Sequence, residues 1–298
     1  MPTTNPITHV SDTARWVAIY RAMESERPDA LFRDPHARRL AGARGEEIVR
    51  TMPRGRAMAW SMIVRTAVMD ELILRAVARD GVHTVVNLAA GLDTRPYRME
   101  VPASLRWVEV DLPDILDYKE EILGDAKPAC EVERVRLDLT NPDARRGLFN
   151  RLGRSAQNVL VVSEGLIIYL MPAEVGALAQ DLAAPPSFYR WIVDIVSPGL
   201  LAMVRDRMGK AVQEAGAPFL FGPPEGPPFF EPYGWKPVDV RSILKTAAKL
   251  ERLPLMLRMF AMLPQSSGAQ GSQPWSGVCL LERQPALEPG VERHHGVA

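Results

Sequence analysis

From residue 82 onward the chain alternates short apolar runs rich in β-branched residues with segments of helical length, and nothing else in the sequence narrows the fold as far. The runs at 82–88, 105–110, 132–137, 159–162 and 189–196 read as strands bounded by turn residues. Strands joined through helices run parallel, because each crossover returns the chain to the same edge of the sheet. Runs at 235–240 and 277–282 add a sixth and a final strand, with a helix over 240–250 between them. Three strands deliver an acid at or just past the carboxyl end: Asp111, Asp138 and Glu164. Carboxylates crowded on one sheet edge raise each other's pKa and lose solvation, so the arrangement is costly without a cation among them. Each acid also has a plainer reading as a cap for the next helix, strongest for Asp111 before Pro113 and Asp138 before Asn141-Pro142.

The first strand narrows the kind of ligand that edge can take. Thr84-Val85-Val86-Asn87-Leu88 runs into Ala89-Ala90-Gly91, a tight turn, and Asp111 ends the second strand. An acid about 20 residues beyond such a turn is placed to accept hydrogen bonds from ribose hydroxyls. A dinucleotide needs several glycines so that backbone amides can reach its pyrophosphate; this turn has one, and Asp93 after it repels phosphate. S-Adenosyl-L-methionine carries no phosphate but brings a sulfonium and an ammonium, so an acidic rim suits it. The expected fold class is α/β: a Rossmann-like, doubly wound, mostly parallel seven-stranded sheet with an N-terminal helical cover and a C-terminal lid insertion.

The cover precedes the first strand. Ser11-Asp12 cap a helix carrying Trp16, Ile19 and Met23 and stopped by Pro28, and Asp34-Pro35 open a short helix through Leu40. A glycine-spaced loop then leads to a long helix over 57–79, where Met58, Met62, Met69, Ile73 and Val77 line one side as core. The expected divisions are a helical cover (1–80), a cofactor-binding core (81–198), a helical and loop lid (199–234), closing strands and helix (235–286) and a tail (287–298) holding His294 and His295. The proline- and glycine-rich stretch 217–232, with Phe219, Phe221, Phe229 and Phe230 and Tyr233 just beyond, fits either a lid or a packed connection. Residues 265–274 read as an exposed loop.

The 36 basic and 36 acidic residues cancel, so no overall field recommends nucleic acid or an anionic membrane, and a small molecule is the expected partner. The amino terminus lacks a basic-then-apolar leader and no stretch approaches a membrane span, so a cytoplasmic location is expected, with Cys130 and Cys279 reduced. No cysteine or histidine pair has metal-ligand spacing, so no metal is expected. Monomer and homodimer both stay open.

The segment Val86-Asn87-Leu88-Ala89-Ala90-Gly91-Leu92-Asp93-Thr94-Arg95-Pro96-Tyr97-Arg98 resembles the first motif of class I S-adenosylmethionine-dependent methyltransferases of the leucine carboxyl methyltransferase type, especially the bacterial branch associated with polyketide O-methylation. Thr13-Ala14-Arg15-Trp16, Leu31-Phe32-Arg33-Asp34-Pro35-His36-Ala37, Val110-Asp111-Leu112-Pro113 and Ser163-Glu164-Gly165-Leu166 agree, and Gly234-Trp235 and Leu280-Leu281-Glu282-Arg283 extend the likeness over nearly the whole chain. One departure is Ala89, where many relatives carry glycine; an alanine there is expected to keep φ below zero. The resemblance implies that Arg65 pairs with the cofactor's carboxylate and that Ala89, Gly91 and Asp93 form the turn against it. It further implies that Asp111 takes the ribose hydroxyls, that Asp138 with the backbone of Leu139 reads the adenine, and that Glu164 lies beside the ammonium or the sulfur. Arg21 would hold an acceptor carboxylate, with Tyr20, Tyr169 and the aromatic stretch shaping the pocket.

Methyl transfer from a sulfonium needs an oxygen nucleophile held in line, water excluded, and the nucleophile's charge state fixed. A carboxylate is already ionised at neutral pH, whereas an ordinary phenol or alcohol is helped by a base. None of the five histidines, His9, His36, His83, His294 and His295, sits at the carboxyl end of a strand. The expectation is therefore O-methylation of a carboxylate or acidic phenol on a natural product such as a polyketide. Two other readings stay open: a protein that keeps the cofactor pocket but cyclises its substrate or serves as a partner, and, less favoured, an NAD-dependent dehydrogenase. Ser163-Glu164-Gly165 lacks the preceding glycine of a nucleophile elbow, which sets hydrolysis aside.

Overall fold

The computed structural model describes residues 10–51, 55–214, 216–262 and 273–285. His9, the 287–298 tail with His294 and His295, and most of the expected 265–274 loop lie outside them. The chain opens with α1 (Val10–Ser25), α2 (Ala37–Thr51) and α3 (Gly55–Arg79), then β1 (Thr84–Leu88), α4 (Arg95–Arg98), β2 (Arg106–Asp111), α5 (Pro113–Leu123), β3 (Glu131–Arg136), α6 (Pro142–Ser155) and β4 (Val159–Ser163). It continues with α7 (Pro172–Ala183), β5 (Phe188–Val196), α8 (Pro198–Glu214), β6 (Trp235–Ser242), α9 (Ile243–Lys249), α10 (Arg258–Met262) and β7 (Ser276–Arg283).

The strands form one sheet in the order β3-β2-β1-β4-β5-β7-β6. β1 to β5 pair in parallel, and β7 runs antiparallel between β5 and β6. After β3 the chain crosses to the other side of β1, so the winding reverses between β1 and β4 and a crevice opens at their carboxyl ends. Strand alternation supplies a core on each face. Val86, Leu88, Val108 and Val161 pack with Leu148 and Phe149 of α6 and Leu178 of α7. Val85, Trp107, Leu160 and Val162 pack with Val68, Leu72 and Ile73 of α3 and Ala247 of α9. A third cluster joins α1 and α2 to Ile63 of α3 and Ile115 of α5, and this cover roofs the crevice.

The short helix expected through Leu40 ends at Gly42, whose φ of 60° and ψ of −174° are non-helical, and a second helical piece, where a loop is expected, continues α2 to Thr51. A Cβ on Gly45 would lie 2.8 Å from Ala41 Cβ and 3.0 Å from the Arg15 carbonyl oxygen, so that glycine lets α2 approach α1. Asp12, expected at the cap, sits in the first turn of α1 and pairs with Arg44 at 2.9 Å. Much of the 217–233 stretch is packed into the core. Phe221 and Phe230 are buried, and Trp191 meets Phe230 and Trp235 edge-on with centroids 5.1 and 5.7 Å apart.

Of the methionines assigned to core, Met69 is buried, whereas Met58 and Met62 are half-buried and face a cavity. Cys130 and Cys279 are buried free thiols. Among the described residues no helix is long and apolar enough to cross a membrane.

Candidate functional site

The crevice between β1 and β4 opens into a cavity of about 1820 Å³. Its floor is the turn after β1. Ala90 N–H donates to the Val110 carbonyl at 3.2 Å, continuing the parallel ladder past the strand end. That contact holds both neighbours in the left-handed region, Gly91 at φ 48° and Ala89 at φ 51°. The expectation of a negative φ at Ala89 is thereby overturned: tertiary pairing outweighs the residue's local preference.

Gly91 N–H then donates to Asp111 Oδ2 at 2.6 Å, and Leu112 N–H donates to Asp111 Oδ1 at 2.8 Å. Two amides hold this carboxylate and no arginine or lysine pairs with it among the described residues. Burial pushes its pKa up, against the two amides that favour its charge. Asp111 is therefore no helix cap; Leu112 occupies that position before α5. Asp138 is exposed and accepts from Thr140 N–H at 2.9 Å and Thr140 Oγ1–H at 2.7 Å, while Asn141 caps α6. Arg145 Nη1 donates to the Leu139 carbonyl at 2.9 Å, which fixes that backbone at the cavity wall.

The other acids do not wait for a ligand to offset them. Arg65 on α3 reaches Glu164 with Nε at 3.0 Å and Asp194 on β5 with Nη1 at 3.0 Å. Thr66 Oγ1–H donates to the same Glu164 oxygen at 3.1 Å, and Gly165 N–H donates to Asp194 at 2.7 Å. Arg95 is almost wholly buried and holds Asp70 at 2.7 Å, Asp93 at 2.8 Å and Glu164 at 2.7 Å, each through a different nitrogen. Asn87 Nδ2–H donates to Asp93 at 2.8 Å, and Arg98 takes Asp70 from the far side at 2.6 Å.

Burial opposes ionisation of Glu164, and Arg95 and Arg65 outweigh it, bringing its pKa down to about 2. Asp93 goes the same way against its burial, with Arg95 the leading cause. The cluster holds four carboxylates and three guanidiniums, so one negative charge stays in excess beside the cavity.

Of the residues expected at the site, Arg65, Ala89, Gly91, Asp93, Asp111, Asp138, Leu139 and Glu164 all line this one cavity, as do Arg21 and Tyr169. Tyr20 does not; it is buried in the cover against Trp16, and burial pushes its hydroxyl up to about 12. Arg21 is committed inside the protein, donating through Nε to Asp34 at 2.9 Å and through Nη2 to the Leu92 carbonyl at 2.5 Å. Tyr169 stacks on Phe219 at 5.5 Å between centroids, and burial raises its pKa, so its hydroxyl stays protonated. No histidine lines the cavity among the described residues; His36 packs edge-on against Tyr97.

Four members of the cluster, Asp70, Arg95, Arg98 and Asp194, went unnoticed in the sequence. Asp194 interrupts the apolar run Trp191-Ile192-Val193, and that interruption was a usable signal. Arg95 lay inside the first motif without a role, because nothing local announces a burial that depends on Asp70, Asp93 and Glu164 converging.

Fold and site together define a doubly wound α/β protein with a carboxylate-lined cavity at its switch point. The model of the leucine carboxyl methyltransferase family matches residues 14–183, more than half of the chain, and the chain belongs to that family. A protein of Parafrankia sp. (strain EAN1pec), provisionally assigned as an S-adenosyl-L-methionine-dependent methyltransferase, is 41% identical over 191 residues, covering 60% of this chain and 61% of the relative. A similarly assigned protein of Mycobacteroides abscessus is 33% identical over 215 residues, covering 68% and 65%. The chain thus spans less than two thirds of the length of these curated relatives.

Among solved structures, a DUF574 family protein from Streptomyces avermitilis superposes with TM-score 0.59 at 16% identity, covering 95% of this chain and all of that one. A provisionally assigned methyltransferase from Thermobifida fusca gives TM-score 0.56 at 17% identity, covering 95% and 97%. These likenesses show the shared fold.

Proposed function

We propose that this protein is an S-adenosyl-L-methionine-dependent methyltransferase that O-methylates a small-molecule acceptor in the cytoplasm, a carboxylate or acidic phenol of a polyketide-like natural product. One observation carries the reading: Asp111 is held at the end of β2 by two amides, without a cation, at the wall of the switch-point cavity. A carboxylate so placed accepts from a ribose diol, and the single-glycine turn beside it gives no pyrophosphate seat.

The residues present fit this donor. Asp111 would take its ribose hydroxyls, Asp138 and the Leu139 backbone its adenine, Arg65 its carboxylate, and Glu164 with Asp194 its ammonium. When bound, the donor supplies an activated methyl on a sulfonium, so the protein need not activate the leaving group. Arg65 and Arg95 hold Glu164 ionised, which keeps that side of the cavity anionic toward a cation. Tyr169 offers a protonated hydroxyl that orients an acceptor oxygen without taking its proton. Ala14, Trp16 and Val17 of the cover line the cavity and would shield its inner end from water. With no histidine lining it among the described residues, an acceptor ionised on its own is the one these walls favour.

Calorimetry with S-adenosylhomocysteine and with NAD tests the seat, and incubation with methyl-labelled donor and a panel of aromatic and aliphatic acids tests the transfer. Binding of the adenosyl ligand and a product heavier by one methyl group are expected. Preference for NAD, or faster methylation of unactivated alcohols than of acids, would overturn the reading.

A further inference from the structure

The cavity is larger than one ligand needs. Sites for a single drug-sized molecule enclose about 300 to 1,000 Å³, and this one encloses about 1820 Å³. Its charged walls gather chiefly at the strand ends described above, and most of the remainder is apolar. Helix α3 contributes Met58 and Met62 to that remainder, and the segment before α10 contributes Met256 and Leu257. Methionine side chains adapt to irregular apolar shapes, which suits a chain more than a rigid ring system.

Helix α8 gives this apolar half a direction. Leu200, Met203, Val204 and Arg207 all line the cavity and fall at the spacing of one helix face. Along that face exposure rises: Leu200, Met203 and Val204 are half-buried and Arg207 is exposed. Arg207 has no ion pair among the described residues, unlike Arg21, Arg65 and Arg145, which line the same cavity and are each committed to a carboxylate. Its neighbour Arg205 is turned away to the Phe219 carbonyl at 2.6 Å. An apolar stripe that ends at the mouth in an uncommitted guanidinium is the complement of an acid with a long apolar body.

We propose that the apolar half of the cavity binds an elongated amphiphile, its body along Leu200, Met203 and Val204 and an anionic end group on Arg207, with the methyl-accepting oxygen at the opposite, inner end. This deepens the proposed function and rests on the strand ends being the donor seat. The acceptor class it names is a chain-like molecule carrying an acid at one end and an acceptor oxygen at the other, and not a compact aromatic acid.

The test measures binding of hexanoate, octanoate, decanoate and decan-1-ol to the full chain by calorimetry, with and without S-adenosylhomocysteine. Affinity is expected to rise by about fourfold per methylene, the gain for a buried CH₂. Arg207→Gln is expected to weaken decanoate about threefold, in the range of an exposed ion pair, and to leave decan-1-ol unchanged. Met203→Ser should weaken both decanoate and decan-1-ol.

Affinity independent of chain length, or an Arg207→Gln effect that is absent or equal for acid and alcohol, would overturn the proposal. If the chain-length and Arg207 dependences appear while S-adenosylhomocysteine fails to bind, the amphiphile site stands and the donor reading falls. If S-adenosylhomocysteine binds and the alkanoates do not, the donor reading stands and this inference falls.

Discussion

Ala89 and Gly91 take the same left-handed backbone, at φ 51° and 48°, and only one of them is glycine. An L-residue there carries about 1 to 2 kcal/mol of strain, and a glycine gives back roughly 0.5 to 1 kcal/mol through its freer unfolded chain. Ala89→Gly is therefore expected to raise stability by up to about 1 kcal/mol, read as a higher urea midpoint. The reverse change at Gly91 adds the same strain against the same unfolded-chain term, and its Cβ would lie 3.4 Å from Ala14 Cβ, an ordinary contact, so Gly91→Ala should lose up to about 1 kcal/mol and also weaken adenosyl binding. Asp111 separates stability from binding. Its folded-state pKa lies above the ordinary value, chiefly through burial, so its charge costs stability at neutral pH and the cost fades as pH falls through that value. Asp111→Asn is thus expected to keep stability within about 1 kcal/mol while S-adenosylhomocysteine affinity drops about tenfold to a hundredfold, in line with a lost charged hydrogen bond. Calorimetry on a variant with an unchanged melt would show it, and unchanged affinity would remove Asp111 from the seat. Gly91 and Asp111 were legible in the sequence because their spacing repeats a geometry many sheets share. The backbone sign at Ala89 was not, since the Val110 carbonyl that fixes it comes from another strand.

Helix α4 is only four residues long, yet it carries Arg95 and Arg98 into the site. No periodicity can reveal an element that short, and Pro96 alone hinted at it. Arg95→Met would leave Asp93 and Glu164 short of a buried partner and Asp70 with Arg98 alone, at an expected cost of about 3 to 5 kcal/mol. Arg95→Lys should recover only part of this, because one ammonium cannot fork to three separated carboxylates. Thermal melts of both variants rank the effects, and equal melting of Lys and wild type would mean that the fork is dispensable. The connection before β6 is testable the same way: a Cβ on Gly176 would fall 2.6 to 2.8 Å from the Tyr233 ring, so Gly176→Ala should destabilise by about 1 to 3 kcal/mol. A stretch that swung free as a lid would tolerate that methyl. Strand positions were legible because the central strands are buried on both faces and stand out as continuous apolar runs between turn residues. The second piece of α2 was not, because it follows the break at Gly42 and carries Gly45, which reads as loop until the packing of α1 against α2 explains it.

At the scale of the whole molecule, the parallel half of the sheet was readable, whereas the insertion of β7 between β5 and β6 was not. A strand's neighbours are chosen by long-range pairing that no local pattern encodes. The charges behave alike: 36 basic and 36 acidic residues sum to nothing in the sequence, but the fold gathers many of them into arginine–carboxylate pairs, and these set the response to acid. Glu164 titrates at about 2 in the folded protein against an ordinary 4.5. Between those values the unfolded chain binds more protons than the folded one, so stability rises with pH there. The Glu164 contribution is fully present above about 4.5 and is lost as pH falls toward 2. Its size is on the order of 3 kcal/mol. Urea midpoints taken at pH 6, 4.5, 3 and 2.5 are expected to fall more steeply for wild type than for Glu164→Gln, which has no proton to gain at this position. Because Gln leaves part of Arg95 and Arg65 unpaired, the variant should start lower at pH 6 and converge on wild type near pH 2.5. Parallel curves would mean that Glu164 is not held ionised by the two arginines, and the anionic wall proposed to face the sulfonium donor would lose its main support.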